Sequence, residues 1–129
     1  MLSSKKVSPT EKELEILQVL WSHDSASVRD VHEKLASKKV GYTTTLKLMQ
    51  LMHEKGYVTR KREGRLHTYY PAIKKEETQT NLLGKFVDSV FQGSTFNLIS
   101  HAIENSRTSK KEWKEIKELL ENLEGLSVN

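Results

Sequence analysis

The stretch YTTTLKLMQLMHEKGYVTRKREGRLHTYYP, residues 42–71, changes its hydrophobic period at Gly56 and so decides the fold. Before that glycine, apolar side chains recur at the three- and four-residue spacing of an amphipathic helix. After it come two β-branched and aromatic runs, YVTRKR and RLHTYY, joined by Glu63-Gly64. Two such runs around a short glycine-containing turn predict a β-hairpin. The stretch therefore predicts a helix over residues 42–55 and then a hairpin that ends at Pro71.

Two further helices are predicted before this stretch. Residues 8–21, SPTEKELEILQVLW, begin with Ser8 as the predicted N-cap, and Glu11 completes a capping box. Ser27 is the predicted N-cap of a second, shorter helix, VRDVHEKLA. The predicted order is thus helix, helix, helix, hairpin. That is the order of a winged helix-turn-helix in which the hairpin is the wing.

Positive charge is concentrated in the first part of the chain. Residues 1–73 hold 13 Lys and Arg against 8 Asp and Glu, a net charge of +5, whereas residues 74–129 hold 8 against 9, a net charge of −1. Four cations crowd around the hairpin turn, where like charges repel one another. Against phosphates, the same cations would release counterions and contribute to binding. A basic part beside a near-neutral part predicts that the first part meets a polyanion.

The helix over residues 42–55 has one apolar and one polar side. Leu48, Met49 and Met52 share the side that faces the predicted core. The opposite side carries hydroxyls, an amide and a cation, which are groups that read base edges and phosphates in a major groove. A merely solvated face is the alternative for this helix alone, and the basic wing that follows it favours nucleic acid. The predicted DNA-binding residues are Tyr42, Thr43, Thr44, Lys47, Gln50, Arg60, Lys61, Arg62 and Arg65.

Residues 74–129 are predicted to form a three-helix dimerisation region, separate from a winged-helix DNA-binding domain over residues 1–73. The region opens with a predicted charged link, KKEETQ, and continues in three amphipathic pieces. Its 56 residues are too few for a strong core of their own. We expect a second copy to cover its apolar groups, because closed two-fold dimers are the commonest oligomers; packing onto the chain's own winged helix is the alternative. The predicted interface residues are Leu82, Leu83, Phe86, Val90, Phe91, Phe96, Ile99, Ile103, Trp113, Ile116, Leu120 and Leu123.

Five segments together resemble the penicillinase-repressor family of bacterial regulators, which also includes methicillin-resistance and copper-responsive repressors. They are PTEKELEILQVLW, SVRDVHEKLA, VGYTTTLKLMQLMHEKG, TRKREGRLHTYYP and GSTFNLISHAIEN. The resemblance implies a mainly α fold with a small β-hairpin, made of an N-terminal winged helix-turn-helix and a C-terminal helical dimerisation region. It also implies a homodimer that binds an inverted-repeat operator in double-stranded DNA and blocks transcription.

Two departures from the family bear on the inducing signal. The copper-responsive branch carries a C-terminal cysteine cluster, and this chain has no cysteine, so the resemblance does not extend to copper sensing. The β-lactam-responsive branch is inactivated by a regulatory protease at an Asn-Phe bond. Alignment of the flanking segments puts His101 and Ala102 at that bond. The bond differs, so the identity of the inducing signal is not carried over with the resemblance.

An enzyme, and a winged helix that binds RNA or a protein partner, are the alternatives from other classes. His32-Glu33 and His53-Glu54 begin like metalloprotease helices but lack the second histidine four residues on. With no glycine-rich phosphate loop or cysteine nucleophile, we expect no catalysis, no cofactor and no metal. Stacking on RNA bases needs exposed aromatics, and Tyr57, Tyr69 and Tyr70 are expected to pack beside the first helix instead. No window approaches the ~20 apolar residues of a membrane span, and the first residues do not read as a signal peptide, so we expect a cytoplasmic protein without a membrane partner.

Overall fold

The computed structural model describes residues 7–35, 40–105 and 107–126. The predicted order of three helices and a hairpin followed by further helices is confirmed, and so is the mainly α fold class. The chain folds as two compact units, an N-terminal unit that ends at Phe86 and a C-terminal unit that begins at Val87. The elements are α1 (Glu11–His23), β1 (Ala26–Ser27), α2 (Val28–Lys34), α3 (Tyr42–Lys55), β2 (Val58–Glu63), β3 (Leu66–Pro71), α4 (Lys75–Phe91), α5 (Thr95–Asn105) and α6 (Lys110–Leu126).

The first helix starts with a different capping box from the predicted one. Thr10, not Ser8, is the N-cap of α1. Its hydroxyl accepts the Glu13 N–H at 3.2 Å, and the Glu13 carboxylate accepts the Thr10 N–H at 2.9 Å. The prediction of Ser8 with Glu11 was wrong because two overlapping boxes fit the sequence. The box that forms also places Glu13 where its other carboxylate oxygen accepts Lys55 Nζ at 2.6 Å.

The core of the N-terminal unit lies among α1, α2, α3 and the hairpin. Burying an aliphatic or aromatic side chain of this size stabilises the fold by about 1.5–3 kcal/mol. On α3, Thr45, Met49 and Met52 are wholly buried, which determines the side that faces outward. The buried apolar residues that form this core are Val7, Ile16, Leu17, Leu20, Ala26, Val28, Val31, Leu35, Met49, Met52, Tyr57, Val58 and Tyr69.

The hairpin is confirmed, but its turn lies one residue further on than predicted. β2 and β3 pair antiparallel with Glu63 opposite Leu66, so the turn consists of Gly64 and Arg65. Gly64 has φ = 66°, a left-handed conformation that glycine adopts without a Cβ clash. This register keeps Glu63 in the strand, where its carboxylate accepts the Thr68 hydroxyl at 2.7 Å.

A third strand, which the sequence did not predict, completes a small sheet. The two residues of β1 pair antiparallel with β3, with Ala26 opposite Tyr69. The strand order is β1-β3-β2, so β3 lies in the centre. Two residues are too short for an alternating pattern to be recognised. The pairing places the start of α2 beside the wing.

The first helix after the wing begins inside the segment that was predicted to be a charged link. Residues 75–79 of KKEETQ belong to the start of α4, so the prediction of a charged link was wrong. The buried Thr78 explains the difference, because its hydroxyl donates to the Lys74 carbonyl at 2.7 Å within the first turn. The predicted domain boundary at residue 74 therefore falls at the start of α4, whereas the two compact units divide within it. Within the described ranges, no helix is long and apolar enough to cross a membrane.

Candidate nucleic-acid interface

The outward side of α3 carries the polar residues that the sequence singled out. Thr43, Thr44, Lys47 and Gln50 are all exposed, while the opposite side of the helix is sealed in the core. Gly41 is the N-cap and gives no side-chain hydrogen bond. The N–H groups at the start of α3 are therefore not capped by a side chain, and such groups favour an anion. The helix ends at Gly56, which has φ = 83°, as predicted.

The packing of α2 against α3 includes a polar contact that sequence reasoning missed. His32 Nδ1 and the wholly buried Thr45 Oγ1 form a hydrogen bond of 2.8 Å. The His32 ring also meets the Tyr42 ring edge-on, with centroids 5.9 Å apart. From the sequence, His32 was considered only as the start of a metal-binding pattern. In the fold it satisfies a buried hydroxyl and joins the two helices of the helix-turn-helix.

The wing presents its cations on both of its faces. Lys61, Arg62 and Arg65 are exposed, and Arg62 Nε donates to the Gly64 carbonyl at 3.0 Å. Arg60 is half-buried and lies opposite Tyr69, to whose hydroxyl it donates at 3.3 Å. The hydrogen bond from Arg60 to the Tyr69 hydroxyl orders the base of the wing, and the one from Arg62 to the Gly64 carbonyl orders its tip.

Among the described residues, no ion pair neutralises the positive charge of this surface. The ion pairs among the described residues join Lys12 with Glu15, Lys55 with Glu13 and Lys74 with Glu77. None of them uses Lys47 or the cations of the wing. Since exposed like charges cost stability when held close together, an anionic partner would relieve their repulsion. The cations in question are Lys47, Arg60, Lys61, Arg62 and Arg65.

The tyrosines of the hairpin are largely enclosed. Tyr57 and Tyr69 are 5% and 1% exposed, and Tyr70 is half-buried. The Tyr57 hydroxyl accepts the Ser8 N–H at 3.3 Å. The expected packing is confirmed for Tyr57 and Tyr69, which belong to the core cluster together with residues of α1. Rings buried in this way cannot stack on unpaired bases, so the alternative of RNA recognition loses its main support.

Histidines and carboxylates do not gather into a cluster in the part of the chain that is described. No three His, Asp or Glu side chains there are placed to hold a metal ion. Two of the histidines have other contacts: His32 forms a hydrogen bond with Thr45, and the His67 ring lies edge-on to Tyr69 with centroids 6.3 Å apart.

A second candidate surface lies on the helices after the wing. The twelve predicted interface residues lie along α4, α5 and α6; Leu82, Phe91, Trp113 and Ile116 are half-buried and the other eight exposed, with Phe96 78% exposed. Within the C-terminal unit, α5 and α6 form an apolar groove of about 400 Å³ between Ile99, Ile103 and Leu120. His101 and Ala102, which align with the bond cleaved in the β-lactam-responsive branch, are also exposed on α5. Among the described residues of this unit, Val87 is the only one that is buried.

Comparison with known proteins identifies the family. Residues 9–122 match the family model of the penicillinase repressor. The chain belongs to the penicillinase repressor family. This is a family of DNA-binding transcriptional repressors, so the resemblance drawn from the sequence is confirmed. A member of the penicillinase repressor family is a regulator and not an enzyme, as predicted.

Relatives within the penicillinase repressor family match most of their own length. The methicillin resistance regulatory protein MecI of Staphylococcus aureus strain N315 is 21% identical over 116 residues, which cover 89% of this chain and 94% of the relative. The penicillinase repressor of Bacillus licheniformis is 26% identical over 83% of this chain and 84% of the relative. The transcriptional regulator BlaI of Mycobacterium tuberculosis strain H37Rv is 30% identical over 69% of this chain and 67% of the relative.

Two solved structures are similar to part of the chain. The solution structure of the DNA-binding domain of the repressor BlaI covers 60% of this chain and 93% of its own, with 26% identity and a TM-score of 0.49. The CopR repressor structure covers 54% of this chain and 99% of its own, with 24% identity and a TM-score of 0.44. The DNA contacts of individual residues in this chain stay predictions.

Proposed function

We propose that this chain is a sequence-specific transcriptional repressor that binds an inverted-repeat operator as a homodimer. The observation that carries the proposal is the outward side of α3. There, Thr43, Thr44, Lys47 and Gln50 are exposed together, beside a wing whose cations have no acidic partner among the described residues. Membership of a family of DNA-binding repressors supports the same reading.

The chemistry of α3 suits a major groove. A lysine can pair with guanine O6 and N7, and a glutamine can pair bidentately with adenine. Lys47 and Gln50 are therefore the proposed base contacts, and Thr43 and Thr44 lie in the first turn, which meets the DNA first in a helix-turn-helix. The wing cations supply sequence-independent binding to phosphates. In this proposal α3 supplies the specificity for sequence, and the wing supplies affinity for any duplex.

The exposed apolar groups on α4, α5 and α6 support the homodimer. Monomeric soluble proteins rarely expose a large contiguous apolar surface, and Phe96, Val90 and Leu120 are each at least half exposed in the single chain. A second copy offers the same groups, so a two-fold interface buries both sets at once. Two-fold symmetry would also place two α3 helices on successive major grooves, about 34–36 Å apart.

Relief of repression by a regulatory protease is part of the proposal and comes from the resemblance alone. The exposure of His101 and Ala102 is compatible with attack at their bond. The bond lies inside α5, so its helical hydrogen bonds must open before a protease can accept it as an extended chain. The intact mass of the protein, measured before and after induction, would locate the cleavage.

A DNA-bound repressor of a bacterial family works in the cytoplasm, which is the location proposed for this protein.

The experiment that tests the proposal is a selection from genomic DNA. Sheared DNA from the source genome is captured on the purified chain at ~0.15 M salt, near physiological screening, and the retained fragments are sequenced. We expect enrichment of one or a few promoters that share an inverted repeat. DNA retained only at low salt without enrichment would contradict sequence-specific repression. Competition by single-stranded RNA against the duplex would then test RNA binding.

A further inference from the structure

A basic cleft lies where the start of α2, the start of α3 and the wing meet in the N-terminal unit. Its volume is about 310 Å³. Arg29, Arg65 and His67 line it together with Tyr42. None of the described residues that line the cleft is acidic. The cleft therefore combines two permanent cations and one titratable ring, with no carboxylate in its wall to oppose them.

Arg29 is held at this cleft by a contact with an aromatic ring of α3. Its guanidinium lies over the Tyr42 ring, 5.2 Å from the centroid. On another side, Tyr42 is met edge-on by the His32 ring, which is itself bonded to the buried Thr45. A chain of contacts thus runs from the core to the guanidinium. Its effect is to reduce the freedom of the arginine before any ligand arrives.

The charge of Arg29 is available for a ligand. Among the described residues, no carboxylate lies within ion-pair distance of it. Its neighbour Asp30 is engaged in the capping box of α2, where the carboxylate accepts the Ser27 N–H at 3.4 Å. A guanidinium stacked on an aromatic ring keeps its N–H groups free at its edge, and these groups match the oxygens of a phosphate.

The apolar part of the wall favours a phosphate that belongs to nucleic acid. Leu46 and Leu66 line the cleft beside the cations, and Leu66 is 66% exposed at the end of the wing turn. A free inorganic anion gains nothing from such groups, whereas a deoxyribose next to a phosphate can pack against them. The cleft also lies between the two elements proposed to bind DNA, so a backbone running from one to the other would cross it.

We infer that this cleft binds one phosphate of the DNA backbone, with Arg29 and Arg65 as its ligands and Tyr42 as the residue that positions Arg29. The inference rests on the proposed function and adds to it a contact from α2. It changes the role expected for Tyr42 from direct DNA contact to orientation of a neighbouring cation.

Removal of Arg29 tests the contact. A labelled duplex of mixed sequence, about 30 base pairs or three helical turns long, is titrated with the full chain between 50 and 200 mM salt. One phosphate contact changes affinity by roughly 3.5-fold over this range, since the slope is about 0.9 per contact. Arg29→Ala should therefore bind several-fold more weakly and lose about one contact from the slope. Arg29→Lys should keep the slope and lose only part of the affinity.

A matched control lies on the same helix. Lys34→Ala removes an exposed cation of α2 that does not line the cleft, and it should leave the salt slope unchanged. Equal slopes and equal affinities for Arg29→Ala and Lys34→Ala would overturn the inference. If the wild-type chain itself shows no salt-dependent binding to duplex DNA, the proposed function fails instead, so the two failures are distinguishable.

The positioning role of Tyr42 needs a readout that a direct contact would not give. Tyr42→Phe retains the ring beneath Arg29 and should bind DNA within about twofold of wild type, since cation–π attraction resides in the ring. Tyr42→Ala should weaken binding, and should weaken it much less when Arg29 is already alanine. Fully additive losses in this double-mutant cycle would show that Tyr42 acts independently of Arg29 and would overturn its assigned role.

Discussion

The N-terminal and C-terminal units are both built largely from amphipathic helices, yet only the N-terminal unit buries an extensive apolar core. Ile16, Leu17 and Met52 have no exposed surface in the N-terminal unit. In the C-terminal unit, Phe96 is 78% exposed, and Leu120 and Leu123 are about half exposed. The first unit thus has an apolar core within one chain, whereas the second leaves most of its large apolar groups exposed for another surface.

The exposed groups of the two units also differ in chemistry. The outward groups of α3 and the wing are hydroxyls, an amide and cations, and the exposed groups of α5 and α6 include several large aliphatic side chains. A surface of the first kind suits a hydrated polyanion, and one of the second kind suits another apolar surface. Substitutions in each unit can test whether the two surfaces differ in this way.

The largest expected effect is on the closed core. Leu17→Ala removes a wholly buried side chain and should lower the free energy of unfolding of the N-terminal unit by about 3–4 kcal/mol. Trp21 reports on this unit and Trp113 on the other, so urea unfolding is followed by fluorescence of Trp21 in a Trp113→Phe background. Leu123→Ala is the control and should leave the Trp21 transition where it was. An equal shift from both variants would mean that the units do not differ as described.

Charge placed on the exposed apolar surface should separate the proposed dimer. Leu120→Asp buries a carboxylate in the interface and should give monomers. Operator affinity should then fall by at least about a hundredfold, because the second half-site is no longer bound by a linked copy. Asn122→Asp adds the same charge on α6, at a residue outside the predicted interface, and should remain dimeric. Light scattering that finds an unchanged mass for Leu120→Asp would refute the interface.

The N-terminal cap of α1 should stabilise the fold less than a buried core side chain does, but more than a surface ion pair does. Glu13 is 2% exposed and accepts both the Thr10 N–H and Lys55 Nζ. Glu13→Ala should cost about 2 kcal/mol, because it removes a capping interaction and a hydrogen-bonded charge pair. Glu15→Ala breaks the exposed pair with Lys12 and should cost about 0.5 kcal/mol or less. Thermal unfolding of both variants measures the difference, and equal costs would contradict the assigned cap.

Substitution of Lys47 and substitution of Arg62 should affect DNA binding in different ways. Lys47→Ala should bring operator affinity closer to that of random duplex, by roughly tenfold for a base contact of about 1.4 kcal/mol. Arg62→Ala should weaken both duplexes alike and make the salt dependence shallower. Anisotropy titrations on both duplexes separate these patterns. If Lys47→Ala weakens specific and random DNA equally, its assignment to a base is wrong.

The smallest expected effect is a loss of folding stability at alkaline pH. The hydrogen bond to Glu13 raises the pKa of Lys55 above 10.5, while partial burial opposes it. A pKa that is higher in the folded state gives stability below the unfolded value of 10.5, and this stability is lost as the pH rises through the folded value. Because Lys55 is 45% exposed, solvent screening limits the effect to about 0.5 kcal/mol. The unfolding free energy of wild type should fall slightly more across this range than that of Lys55→Met, and parallel curves would contradict it.

The sequence predicted the features that depend on neighbouring residues. The helix over 42–55, its end at Gly56 and the N-cap at Ser27 are all local patterns, and all are confirmed. The pairing of Glu13 in the Thr10 box with Lys55 joins residues that are distant in sequence, and no local pattern predicts it. β1 exists only because β3 lies beside it, and Thr78 is buried by packing that a charged stretch does not reveal.

In the candidate site, too, the features set by local sequence were predicted and those set by distant contacts were not. The exposed residues of α3 could be predicted, because helical period alone separates them from Met49 and Met52. Arg29 could not, since its place at the cleft depends on how α2 meets Tyr42 and the wing. For α5 and α6, the amphipathic pattern identified the apolar face. The spacing of apolar residues in one chain does not show which surface covers that face.

The most direct test of the account is the mass of the complex on a selected operator. Sedimentation of the full chain, alone and with a duplex that carries one inverted repeat, gives the number of chains bound. The account predicts twice the 14.9 kDa chain mass in free solution and two chains on each duplex. A single chain that binds the duplex with the same affinity and specificity would contradict it, because the exposed apolar groups of the C-terminal unit would then serve some other partner.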